Sequence, residues 1–238
     1  MTWSIIAKDE VTGAIGIAVA TRFFAVGALL PHIDPAGGAV ATQALINPTY
    51  GPRGLRLLRE GVPADEVLRF LTASDAGEGQ RQLHVMDGAG RFAAHTGTGC
   101  VDWCGHAIHD GFSVAGNMLA GPEVIAETAR AYRDGAALPF ARRLIAALQA
   151  GEAAGGDKRG KQSAALLIHE GEEYPALSLR VDDHADPLAE LARLEKVSRE
   201  RFVHFARFFA TKDDPSGTYD RDVINAAIEA AAAQEQMS

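Results

Sequence analysis

Cysteine is nearly absent from this sequence: Cys100 and Cys104 are its 2 cysteines in 238 residues. Two cysteines make no disulfide framework, and their scarcity fits a reducing compartment, so a cytoplasmic location is expected. Nowhere do about 20 apolar residues run together, so no membrane-spanning helix is expected. Cations are in deficit, 23 Lys and Arg against 31 Asp and Glu, for a net charge of -8. That surface repels nucleic acid and anionic membranes, and neither is expected as a partner. A basic leader is missing too. Met1-Thr2-Trp3-Ser4 runs straight into apolar residues, so no signal peptide is expected.

What is present suits one sizeable core, with 47% hydrophobic and 23% charged residues. Residues 2–8 and 14–20 read as strands joined by a turn ending in Gly13, a hairpin signal. The second run is apolar on both faces, as a covered central strand would be. Residues 38–46 give a third strand, and 47–52 a turn. Helical periodicity follows from Arg53 to Gly61 and over 64–73. Strands resume at 81–87, 91–96, 105–109 and 111–117. Helices are expected from Gly121 to Tyr132 and from Pro139 to Ala150, strands at 162–169 and 176–182, and a helix from Pro187 past 205. An Ala-rich helix comes last, after a break at 213–217. Short turns make the sheets mostly antiparallel, and paired helices lie between strand groups. The economical layering is an α+β, four-layer αββα sandwich over residues 1–205, with a helical extension over 206–238.

Several places carry chemistry-bearing residues. Once the initiator methionine is removed, Thr2 would offer a hydroxyl nucleophile together with its own α-amine as base. If Met1 stays, that amine is acylated and cannot serve. The loop Gly155-Gly156-Asp157-Lys158-Arg159-Gly160-Lys161-Gln162-Ser163 gathers cations on flexible backbone. It is either an anion-binding loop or a solvated one, and it lacks the P-loop order. Cys100, Cys104, His106 and His109 are metal-ligand types, but they crowd closer than structural zinc sites do. Asp182-Asp183-His184 with Asp186 reads either as a cation site or as a strand end capping the next helix. Asn117, at a strand exit, is an oxyanion donor or a turn residue.

These segments resemble the DUF1028 family. The resemblance rests on Thr2-Trp3-Ser4-Ile5-Ile6-Ala7, Thr21-Arg22-Phe23-Phe24-Ala25-Val26-Gly27, Ala41-Thr42-Gln43-Ala44 and Tyr50-Gly51-Pro52-Arg53-Gly54. Gly116-Asn117-Met118-Leu119-Ala120-Gly121, the loop from Ala154 to Gly160 with Gln162-Ser163-Ala164, and Leu179-Arg180-Val181-Asp182-Asp183-His184 complete it. It covers roughly residues 2–195. The family is grouped with the N-terminal nucleophile (Ntn) hydrolases. The resemblance therefore implies the αββα fold and hydrolysis of a C–N amide, ureido or peptide-like bond of a small metabolite, with Thr2 as nucleophile. By position, Arg22, Gln43 and Asn117 would surround it. His95, Asp157, Lys158, Arg159 and Ser163 would bind substrate.

No cofactor and no bound metal belong to this reading. Two other classes stay open: a ligand-binding protein on the same fold without catalysis, and a metal-dependent hydrolase using the Cys100–His109 or Asp182–His184 cluster. Small apolar strands and Phe202, Phe205, Phe208 and Phe209 serve either a core or a homo-oligomer interface.

Overall fold

The structure, a computed structural model, describes residues 2–236, with side chains through residue 231; Met1 lies outside the described residues. Two compact units divide the chain, one ending at Leu191 and the other beginning at Ala192. In chain order the strands are β1 (Thr2–Lys8), β2 (Ile15–Thr21), β3 (Pro31–Asp34), β4 (Gly38–Ala44) and β5 (Arg81–Asp87), then β6 (Phe92–Thr96), β7 (Gly105–His109), β8 (Phe112–Asn117), β9 (Ser163–His169) and β10 (Leu177–Val181). Five helices accompany them: α1 (Tyr50–Arg59), α2 (Ala64–Ala73), α3 (Glu123–Asp134), α4 (Phe140–Ala153) and α5 (Pro187–Glu200).

This is a mixed α+β fold on two antiparallel sheets. The larger has six strands in the order β10-β9-β2-β1-β8-β7, and the smaller has four in the order β3-β4-β5-β6. Both expected hairpins form, and β2 is buried along its whole length, as its two apolar faces require.

Alternation along each strand decides what each face meets. Ile6, Ile17 and Val19 of the larger sheet join Ile33, Ala41 and Met86 of the smaller one in a single apolar cluster. At the opposite parity, Val40, Leu83 and Val85 pack with Tyr50 and Leu58 of α1 and Val67 and Leu71 of α2. The other face of β1 carries Trp3, which lies against α4: a Cβ at Gly151 would stand 2.9 Å from Trp3 Nε1 and 2.2 Å from Thr128 Oγ1. Only glycine permits that approach.

Several elements differ from the sequence reading. Strand β3 is new; it is short, begins with Pro31 and lies at a sheet edge, where a missing N–H is tolerated. Helix α1 begins at Tyr50, not Arg53, because Pro52 falls in the first turn, where its lost N–H has no intrahelical partner anyway. Strand β4 stops at Ala44, whose φ of 68° turns the chain out of the sheet. The helix from Pro187 ends at Glu200, and a separate helix α6 (Phe202–Ala206) follows.

In the second unit, α6 carries Phe202 and Phe205, Phe208 and Phe209 follow it, and the last helix is α7 (Arg221–Gln236). Phe202 and Phe205 set their rings edge-on to Phe209, at centroid distances of 6.3 and 5.4 Å. Among the described residues, no helix is long and apolar enough to cross a membrane.

Candidate functional site

Strand register builds the site. On the larger sheet Thr2 lies opposite Asn117 on one side and Thr21 on the other, and Thr21 lies opposite Ser163. On the smaller sheet Gln43 lies opposite Gln82, and Gln82 opposite Thr96. The two rows face each other and are joined. Asn117 Nδ2 donates to Gln82 Oε1 at 3.0 Å, and Gln43 Nε2 donates to the same oxygen at 2.7 Å. Gln82 Nε2 reaches Thr96 Oγ1 and the Gly116 carbonyl, each at 2.8 Å. The Thr2 and Thr21 hydroxyls are 3.0 Å apart.

A second tier lies one strand repeat deeper. Ser4 Oγ donates to Gln43 Oε1 at 2.7 Å and stands 3.0 Å from His84 Nε2, while His84 Nδ1 is 2.9 Å from Ser113 Oγ. The directions follow by elimination. The single Ser4 proton goes to Gln43, so His84 Nε2–H must donate to Ser4, and Nδ1 must accept from Ser113. Burial, with His106 nearby, pushes the His84 imidazole down to about 3, so it stays neutral. The chain of bonds fixes the Gln43 amide with its NH₂ toward Gln82. Asn117 and Gln43 each keep one N–H with no acceptor among the described residues.

Beside Thr2 opens a cavity of 310 Å³. Its polar lining is Thr2, Thr42, Gln43 and Arg159; Phe23, Val26, Leu29 and Leu30 form one apolar wall, and Leu45 and Ile46 another. Among the described residues three non-glycine residues have left-handed backbone, and all stand where a strand leaves the site: Ala25 (φ 53°) after β2, Ala44 (φ 68°) at the end of β4 and Met118 (φ 55°) after β8. Such conformations are disfavoured for residues with a Cβ and recur at functional sites.

The expected site residues divide into two groups. Thr2, Gln43, Asn117 and Arg159 come together. The rest serve as supports or lie elsewhere. Ser163 Oγ donates to the Phe23 carbonyl and accepts from Val26 N–H, which pins the cavity wall and uses the hydroxyl. The buried Asp157 carboxylate accepts from the backbone N–H groups of Arg22 and Arg159, at 2.9 and 2.7 Å. Lys158 Nζ donates to the Asp102 carbonyl. The Arg22 guanidinium is exposed and donates to the Lys161 carbonyl at 3.3 Å. His95 has the wrong parity: it lies opposite Leu83, on the face toward α2, and pairs with Glu78 at 3.1 Å.

Gln82, Ser4, His84 and Ser113 were not singled out from sequence. The usable signal was alternation in 81–87, where Gln82 and His84 share a face with Met86, which looks toward the larger sheet.

Neither alternative ligand cluster assembles. His106 and His109 have opposite parity on β7; His106 bonds Thr96 Oγ1, and His109 stacks on Phe112. Asp186 Oδ1 accepts from Ala189 N–H and caps α5, while Asp183 accepts from Gln162. Among the described residues no three His, Cys, Asp or Glu side chains gather as metal ligands.

Fold and site thus define an α+β protein with two antiparallel sheets whose strand ends enclose a polar site. Residues 2–191 match the profile described as "Family of unknown function (DUF1028)", and the chain belongs to that family. The crystal structure of protein SPO2555 from Silicibacter pomeroyi, assigned to the same family, is similar to it with 34% identity and a TM-score of 0.86, covering 92% of this chain and 96% of that one. No curated protein matches.

Proposed function

We propose that the protein is an Ntn-type amidohydrolase with Thr2 as its nucleophile. On this reading the two sheets and their helices are the four layers of an αββα sandwich. The contacts of α1 and α2 with the smaller sheet, of α4 with the larger, and of the sheets with each other support it. The carrying observation is the position of Thr2: on a strand paired on both sides, it lines a cavity and shares its row with Thr21 and Asn117.

The chemistry follows from residue types. With Thr2 at the N-terminus, its α-amine takes the Oγ1 proton, and Oγ1 attacks the amide carbon. The electron pair displaced onto oxygen is met by the free N–H of Asn117. Collapse breaks the C–N bond, the amine leaves with the proton, and water cleaves the remaining ester, restoring the hydroxyl and releasing the acid. Thr21 holds the hydroxyl, and Gln82 holds Asn117.

Intact mass and an amidase screen test this together. The expected result is a chain lacking the mass of Met, hydrolysis by that chain, and loss of hydrolysis in Thr2→Ala. Unchanged hydrolysis by Thr2→Ala would overturn the assignment.

A further inference from the structure

The cavity beside Thr2 has an uneven chemistry that narrows its ligand. Its walls are apolar, and Phe23, Leu29 and Leu45 remain 56%, 37% and 63% exposed. Large apolar side chains left open around one concavity mark a binding surface. Against them stands a single formal charge, Arg159.

The placement of Arg159 is built. Its backbone N–H and one terminal nitrogen lie on Asp157, at 2.7 and 3.3 Å, and the Asp157 side chain is 1% exposed. One edge of the guanidinium is thereby fixed. Nε and Nη1 have no acceptor among the described residues. A planar fork held on one side with free donors on the other suits a carboxylate. Asp157 and Lys158, its neighbours in the loop, are occupied by structural bonds and do not line the cavity.

We infer that the cavity takes a small amide bearing both a compact apolar group and a carboxylate, the apolar group on the Phe23–Leu29–Leu45 wall and the carboxylate on Arg159. An N-acylated apolar amino acid has this chemistry. The volume of 310 Å³ lies at the lower end of ligand cavities and excludes longer peptides from full burial. This deepens the Ntn reading and rests on it for the bond that is cut, but not for the binding.

Binding is therefore measured apart from turnover, by calorimetry on the full chain carrying Thr2→Ala, with its N-terminus checked by intact mass. The probes are N-acetyl-leucine, N-acetyl-leucinamide and N-acetyl-glycine. N-acetyl-leucine is expected to bind more tightly than each of the others by on the order of tenfold or more, the leucinamide lacking the charge and the glycine the side chain. Adding Arg159→Gln should bring N-acetyl-leucine down to the level of N-acetyl-leucinamide and leave the latter unchanged, which also shows that the variant is folded. Equal affinities, a preference that survives Arg159→Gln, or no binding at millimolar probe overturns the inference. Binding as expected, with no hydrolysis by the unsubstituted protein, would instead sink the nucleophile reading alone. Hydrolysis that ignores the carboxylate would sink the substrate class alone.

Discussion

The space between the two sheets has two halves built on opposite rules. In one, Ile6, Ile17, Ile33 and Met86 meet with no polar group among them. In the other, Ser4, Gln43, Gln82, His84, Ser113 and Asn117 are buried and linked by hydrogen bonds, and Thr2 bonds Thr21 beside them. The apolar half is governed by volume, since a lost methyl leaves a void. The polar half is governed by pairing, because a buried donor or acceptor without a partner loses its hydration and gains nothing. One fold thus keeps a rigid floor of aliphatic residues beneath a polar layer with fixed donor directions.

Substitutions can break this contrast in order of size. The largest effect is on chemistry: Thr2→Ala should lower hydrolysis by about 10⁴ or more while leaving the denaturation midpoint close to that of the unsubstituted chain. A large drop in stability instead would place Thr2 among the structural residues. Next comes the apolar half, where Ile17→Ala should cost about 2–5 kcal/mol in urea unfolding. A loss below 1 kcal/mol would mean that the floor collapses around the gap. In the polar half, Gln82→Met keeps the volume but orphans Asn117 and Gln43. It should cost about 1–3 kcal/mol and lower kcat more than it raises KM, since Gln82 positions donors rather than touching substrate. Unaltered kcat would remove the positioning role.

The smallest effect is on pH. His84 is held below its ordinary value of 6.5, at about 3, so below pH 6.5 the unfolded chain binds a proton that the folded chain refuses. Its contribution to stability is complete above pH 6.5 and declines as pH falls toward 3. Between pH 7 and 5.5 this amounts to at most about 1.4 kcal/mol. NMR of the imidazole checks it directly: a His84 that titrates near 6.5 in the folded protein would contradict the buried, neutral assignment.

Much of the fold was legible because the chain punctuates itself. Apolar runs bounded by Gly13 and by Gly88 and Gly90 gave the hairpins, and Pro139 and Pro187 marked helix starts. Strand β3 was not legible, since Pro31-His32-Ile33-Asp34 has neither length nor alternation. The segment Tyr50-Gly51-Pro52-Arg53-Gly54 owes its composition to packing. Tyr50 donates to Asp75, and a Cβ at Gly51 would lie 2.1 Å from the His32 ring. Legibility of the site stopped at parity. Thr2, Gln43 and Asn117 could be placed at strand ends, but His95 and Thr96 differ by one residue, and one residue reverses the face. Nor does a polar residue in a strand name its partner. Gln82 gains its meaning only when β5 is laid across from β1 and β8.

The position of β1 also has a consequence in time. Thr2 comes long before Asn117, its neighbour in the finished sheet, and longer still before Ser163, which completes the row. Pairings of such sequence separation form late. Until β8 and β9 are in place, β1 has only the hairpin with β2 and no closed cavity beside it. The cavity is thus among the last features of the fold to close, and Thr2 reaches its 7% exposure only with it.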